Sequence, residues 1–292
     1  MHYRDVYSLI SDICADTSTD FKARAAILSD AIATLTDDDV LNHIEYGGVI
    51  PESYAHDSSE EKMFAKYCDI LLARALTLLG LKASVLEERS DAADVTGSTD
   101  KYVIVGDAKA FRLSRTAKNQ KDFKVEALNQ WKKGADYALL ACPLYQYPTR
   151  TSQIYDQAIR YNVALLSFTH LGFLIRSRPA DPNALASLWS ISTGLTSGKD
   201  AIPYWNAVSK EVCRIADKTV EEWDKYLEAS KRFTLEQAQE QKTFWEAEKV
   251  RISKFDHHEA VAALIKALRI DNNISLISRT ISDLEEITSE ID

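Results

Sequence analysis

An acid and an amine two residues apart at the end of an apolar run are the first chemistry legible in this chain. The run Tyr102 to Asp107 reads YVIVGD and Lys109 follows it; in extended backbone, positions 107 and 109 face the same side, so a carboxylate and an ammonium are presented together. Asp94 closes the upstream segment LEERSDAAD, and a hairpin-like return there sets a second carboxylate beside Asp107. Glu87 is a third candidate. Carboxylates that converge repel one another unless a cation holds them, and hard oxygen donors suit Mg2+. Such an ion activates water and neutralises charge on a phosphoryl oxygen, while an adjacent lysine orients the water or steadies developing charge. That is the layout phosphodiester hydrolysis needs. Asp-x-Lys alone is a weak motif that chance supplies in many chains, and a strand-end salt bridge is the plain alternative.

The residues that follow shift the balance. From Lys109 the chain reads KAFRLSRTAKNQKDFK, with a base at 109, 112, 115, 118, 121 and 124 and one acid, Asp122. A period of three drifts around a straight helix, so this run suits a curved phosphate backbone better than one flat face, and Phe111, Leu113 and Phe123 can anchor it. Arg112, Ser114, Arg115, Lys118, Lys121 and Lys124 are candidate DNA contacts. Asn119 and Gln120 have the amide geometry that pairs with adenine in a major groove. A solvated charged face, with ordinary polar loop residues, is the alternative reading. The whole chain has 292 residues, 44 acids, 35 Lys and Arg and a formal charge of -9, which by itself argues against a nucleic-acid partner. Residues 101 to 133, however, carry nine bases and three acids, leaving -15 for the remainder. One concentrated basic surface on an acidic body is the result, attractive to DNA at one place and repulsive elsewhere.

The elements that position these residues follow from pattern. Nine Gly and six Pro among 292 residues leave few turns and imply long helices. Ser58 with Glu61 forms a capping-box signature, after which Phe64, Cys68, Leu71, Leu72, Ala75, Leu78 and Leu79 recur at helical steps until Gly80. Residues 102–107, 137–142 and 163–168 read as buried strands, separated by helix candidates at 122–133 and 151–160, so the fold class is α/β and helix-rich. No proline follows Pro203 and no glycine follows Gly198, so the tail is expected to be almost wholly helical. Within it, Thr234 and Gln237 suggest a fresh helix start, and a last amphipathic segment runs from about Glu259. Cys14, Cys68, Cys142 and Cys213 lack zinc or disulfide spacing and read as buried thiols. The start of the chain lacks signal-peptide features, and the most apolar long segment, Asp69 to Leu81, is interrupted by Arg74 and too short to span a bilayer. A cytoplasmic protein is expected. His257, His258 and Glu259 lack zinc-site spacing, His43, His56 and His170 read as ordinary histidines, and the five tryptophans read as packing. No glycine-rich phosphate loop is present.

The stretch DAKAFRLSRTAKNQKDFKVEAL resembles the active-site and recognition region of the HindIII-type type II restriction endonucleases, of the PD-(D/E)XK nuclease superfamily. The likeness extends through EKMFAKYCDILLARALTLLGLKASVLEERSDAADV upstream and DYALLACPLYQYPTRTSQIYDQAI downstream, roughly Pro51 to Phe168. It implies a core with a short mixed β-sheet flanked by helices over 58–178, between helical regions 1–57 and 179–292 that pack with it. It implies a homodimer that cleaves double-stranded DNA at the palindrome AAGCTT with Mg2+ as cofactor, leaving 5′-phosphate ends, paired with a methyltransferase of the same specificity. Asp94, Asp107 and Lys109 fall on the superfamily's acid, acid and lysine; Glu87 and Asp122 fall on further acidic positions. In the expected mechanism Asp94, Asp107 and the Ala108 carbonyl hold the metal. The proline of the superfamily motif is replaced, since Ala93 precedes Asp94, as in the family it resembles. A structure-specific repair or junction nuclease, or a non-catalytic DNA-binding protein, are the other readings.

Overall fold

Polar side chains fix where three of the first four helices begin. Helix α1 spans Asp5–Ala15. Asp20 accepts the Ala23 N–H at 2.8 Å ahead of α2, Phe21–Ala33; Thr36 accepts that of Asp39 at 3.2 Å ahead of α3, Asp37–Glu45. Ser58 accepts that of Glu61 at 3.1 Å ahead of the long helix α4, Ser59–Leu78. The expected capping box is half made, because the Glu61 carboxylate accepts the Asp57 N–H at 2.6 Å instead of the cap's own. Helix α4 ends at Gly80, whose φ of +91° lies in the left-handed region that costs glycine little. The structure is a computed structural model that describes residues 1–86, 92–115 and 120–289, with backbone alone for 283–289.

The sheet has five strands in chain order: β1 Lys82–Val85, β2 Val95–Ser98, β3 Val103–Ala108, β4 Tyr137–Cys142 and β5 Val163–Ser167. The first three pair antiparallel and the last three parallel. The strands expected at 102–107, 137–142 and 163–168 thus form as β3, β4 and β5, each within one residue. Strand β5 is wholly buried, which explains its continuous apolar run.

The helix expected over 122–133 is two pieces, α5 Gln120–Phe123 and α6 Val125–Trp131, parted by Lys124 at φ +49°. The break lets Phe123 and Val125, both 1% exposed, be buried in succession. Helix α7, Gln153–Tyr161, joins β4 to β5, and α8, Phe168–Ser177, follows β5 directly. Helix α4 packs across β1, β2 and β3, and α6 against β3, β4 and β5, so apolar contact holds both helix layers to the sheet.

Short α9, Ala186–Trp189, precedes α10, Ala201–Ala216, and α11, Val220–Ile252. The helix start expected at Thr234 is not there: α11 runs straight through, and Gln237 is buried with its amide donating to the Tyr46 carbonyl at 3.0 Å. Thr219 and Glu222 make the reciprocal capping bonds instead, at 3.2 and 2.9 Å, because a box stabilises only a turn whose N–H groups lack helical partners. The last expected helix is also two, α12 His257–Ala267 and α13 Ile270–Ser289, with Arg269 left-handed between them. The four cysteines are buried and none is in a disulfide. Two units result, residues 1–241 and 242–292. No helix among the described residues is long and apolar enough to cross a membrane.

Candidate active site

The antiparallel register of β2 and β3 brings the two carboxylates together. Val95 lies opposite Gly106, so one step further Asp94 meets Asp107, and the Asp94 N–H donates to the Gly106 carbonyl at 3.2 Å. The return from β1 is closed by the Leu86 N–H donating to the Asp94 carbonyl at 2.8 Å. On its other side β3 pairs with β4, and the ladder continues past its end through the Lys109 N–H and the Ala141 carbonyl at 2.8 Å. Asp107 and Lys109 share one side of this extended segment, and the Lys109 amine forms an ion pair with Asp107 Oδ2. Ala108, buried between them, places its carbonyl at the same strand end.

Burial decides the electrostatics. Asp107 is 2% exposed, and loss of hydration pushes its carboxyl up to about 6; the Lys109 ammonium pulls it down, and the hydrogen-bonding Asp94 carboxyl pushes it up again. Oδ2 of Asp107 is buried and has no aligned hydrogen bond among the described residues, only the ion pair. Two adjoining carboxyls, one of them buried, form a donor set of hard oxygens that fits a divalent cation such as Mg2+.

A third carboxylate, absent from the sequence reading, faces this pair. Asp69 of α4 is 6% exposed, and burial first, then the charges of Asp94 and Asp107, hold its carboxyl well above the usual carboxylate range, with Lys66 and Lys109 opposing. An acid inside the apolar run Cys68 to Leu72 was the available signal, since a buried charge needs a compensating reason.

The basic segment leaves the strand in two tethered steps. The Phe111 N–H donates to the Gly48 carbonyl at 2.9 Å, and the Ile50 N–H to the Phe111 carbonyl at 3.1 Å. Gly48 is required there, because a Cβ would collide with Pro143 and Phe168. Arg112 turns inward: its guanidinium donates to Glu61 at 3.3 Å, the Pro51 carbonyl at 3.1 Å and the Ala55 carbonyl at 3.3 Å. Ser114 is held by buried Glu52, through its N–H at 3.0 Å and its hydroxyl at 2.8 Å. Glu52, which the sequence reading did not single out, and Glu61, read there as a helix-capping residue, are thus positioning residues.

Arg115 pairs with Asp122 at 2.6 Å and lies over the Phe111 ring at 5.1 Å. Phe123 packs between Phe111 and Tyr147, with ring centroids 5.5 Å from each, so α5 is anchored as its apolar residue suggested. Gln120, Lys121 and Lys124 are exposed, with the Lys124 amine 5.9 Å from the Trp131 ring centroid. Asp122 therefore sits in the basic segment, bound to Arg115; Glu87, Lys118 and Asn119 lie outside the described residues. Elsewhere, His56, Asp57 and Glu61 stand close enough to share a cation, but Glu61 already accepts from Arg112 and the Asp57 N–H, as in an ion-paired surface cluster.

Comparison with known proteins covers the whole arrangement. A family model described as HindIII restriction endonuclease matches residues 4–281. The type II restriction enzyme HindIII of Haemophilus influenzae (strain ATCC 51907 / DSM 11121 / KW20 / Rd) is 35% identical over 289 residues, spanning 95% of this chain and 94% of that enzyme.

Proposed function

The chain belongs to the HindIII restriction endonuclease family and is a site-specific endonuclease, a hydrolase, and we propose that it cleaves double-stranded DNA at AAGCTT in a Mg2+-dependent reaction that leaves 5′-phosphate ends. The observation that carries the reading is the meeting of Asp94, Asp107 and Lys109 at the shared end of β2 and β3. Asp94, Asp107 and the Ala108 carbonyl would hold the metal, with Glu87 a candidate at a second position. Mg2+ held there supplies electrophilic stabilisation of the phosphate oxygens and acidifies a water.

The chain's own residues do the rest. Lys109, beside Asp107, is placed to direct its ammonium to the attacking water and to the charge that builds on the phosphoryl oxygens. The water oxygen attacks phosphorus in line as the P–O3′ bond breaks; the attacking water gives up a proton to solvent, O3′ takes one from solvent and leaves as a hydroxyl, and the phosphate stays on O5′. The tethers from Glu52 and Glu61 fix the start of the basic segment relative to this centre. Arg115, Lys118, Lys121 and Lys124 contact phosphates, and Asn119 and Gln120 read adenine edges, with Arg112 and Ser114 shaping the loop beneath. A two-fold palindrome is read by two copies about a two-fold axis, hence a homodimer. The enzyme acts in the cytoplasm beside a methyltransferase that protects the same site.

Digestion of one plasmid of known sequence, with Mg2+ and with Ca2+, tests the reading. Discrete fragments ending at AAGCTT with Mg2+, and binding without cutting with Ca2+, are expected. Asp107→Ala and Lys109→Ala should each abolish cleavage and retain specific binding without Mg2+. Undiminished cutting by either variant refutes the assignment, and nicking that follows DNA structure instead of sequence indicates a junction nuclease.

A further inference from the structure

The stripe that α11 turns inward changes kind partway along. Trp223, Leu227, Ser230, Thr234, Gln237 and Gln241 recur at steps of four and three, so all six share one face. The first two are apolar and the last four polar. Ser230 is 6% exposed and Gln237 3%, with Thr234 and Gln241 half-buried. A helix ordinarily buries apolar side chains, and buried polar ones cost stability unless they are bonded. Bonded, they fix a geometry, because hydrogen bonds have a direction that apolar contact lacks.

Two of these bonds reach segment 46–52, which is tied both to α11 and to the root of the basic segment. The Gln237 amide donates to the Tyr46 carbonyl at 3.0 Å. The Gly48 carbonyl and the Ile50 N–H both bond to the Phe111 backbone. At Glu52 the two sets of ties meet: its N–H donates to Gln241 Oε1 at 2.7 Å, and its buried carboxylate accepts from the Ser114 N–H and hydroxyl. A helix residue 189 positions away in the chain thus reaches the start of the basic segment through one intermediate.

We propose that Gln241 is a positioning residue: through Glu52 it holds the root of the basic segment in one register, and site selectivity follows from that register. The inference rests on the reading above that this segment contacts the bases. Base contacts discriminate only while donors and acceptors stay aligned. Asp94, Asp107 and Lys109 are held separately, by the β2–β3 ladder and the Lys109–Ala141 bond, so selectivity should suffer where turnover does not.

Gln241→Met, which keeps the length and removes the acceptor, tests this in the full chain. Ser230→Ala is the control, since it removes a bond of the same stripe that goes to Thr169, at 3.0 Å, instead of to segment 46–52. With Mg2+, Gln241→Met should lower the kcat/KM ratio of AAGCTT over sites that differ at one base pair by about tenfold, the scale of one base contact. Its kcat at AAGCTT should stay within about threefold of wild type. Ser230→Ala should keep the wild-type ratio. An unchanged ratio in Gln241→Met, or an equal loss in Ser230→Ala, overturns the proposal. Amide exchange without DNA or divalent ions separates it from the reading on which it rests: Phe111 and Ser114 should exchange about tenfold faster in Gln241→Met, and at the wild-type rate in Ser230→Ala. A wild type that cuts without site preference sinks that reading; exchange alone then decides the tether, faster exchange keeping it and unchanged exchange sinking it. Should Gln241→Met fail to fold, the Glu52 amide of wild type decides: protection supports the tether, and exchange at the rate of an unbonded amide refutes it.

Discussion

Asp107→Asn is expected to make the protein inactive and more stable at once. Burial raises the Asp107 carboxyl from 3.8 to about 6 in the folded chain, so the ionised group is disfavoured there relative to the unfolded chain by roughly 3 kcal/mol. Because the folded value is raised, the cost is absent below about pH 4, where both states hold the proton, grows between pH 4 and 6, and is fully present above pH 6. Asn keeps the shape and removes the charge. Lys109 loses its partner but keeps Asp94 nearby, so a net gain of roughly 2 kcal/mol, about 5 °C in Tm, is expected at pH 8. Urea unfolding in EDTA at pH 4 and pH 8 measures it: the variant should have the higher midpoint at pH 8 and no advantage at pH 4. Asp69, raised in the same direction by burial and then by the charges of Asp94 and Asp107, is relieved of the Asp107 charge in the variant, which acts in the same sense as the gain expected at pH 8. Saturating Mg2+, at about 100 times its Kd, should add roughly 2.7 kcal/mol to wild type and nothing to the variant. A variant less stable than wild type at pH 8 in EDTA, or an offset that persists at pH 4, refutes the picture of a costly buried carboxylate that awaits a cation.

Arg112→Ala should cost roughly 1–2 kcal/mol in urea unfolding, since it removes one donor each from Glu61 and from the Pro51 and Ala55 carbonyls, which keep the Asp57, Tyr54 and Ser58 N–H groups; a loss below about 0.5 kcal/mol would show that these ties are idle. Lys121→Ala should weaken DNA binding uniformly across sequences and reduce the slope of log K against log salt by about 1 per bound phosphate lost, with fluorescence anisotropy as the assay and an unchanged slope as the contrary result. Burial holds the His170 imidazole down at about 3, between the Trp205 and Trp223 rings. Its NMR ring shifts should therefore stay constant from pH 8 to 5, and the stability it contributes should decline as pH falls below about 6.5, where the unfolded imidazole takes a proton.

Strand and helix identity near the site was legible because it depends on local pattern. Apolar runs of branched residues became β3, β4 and β5, and Ser58 opened α4 where its hydroxyl reaches the Glu61 N–H. Helix interruptions were harder to read. Thr234 and Gln237 match a capping box as well as Thr219 and Glu222 do, and only packing, with Gln237 buried against the Tyr46 carbonyl, tells an interior turn from a start. Lys124 breaks a helix that propensity would continue, because Phe123 and Val125 are both drawn into the core.

By itself the sequence determined the chemistry on offer: Asp107 and Lys109 are bound to one side of a strand by the two-residue period of extended backbone, and the family likeness rests on the same residues. Tertiary structure decided which further groups join them. Asp94 reaches Asp107 only through the register of β2 on β3, and Asp69 only through the packing of α4 on that sheet. It also turned Arg112 inward to Glu61, a cation that charge periodicity cannot tell from its exposed neighbours. The reason is physical: spacing fixes direction along one element, whereas burial and the meeting of charges depend on residues far apart in the chain.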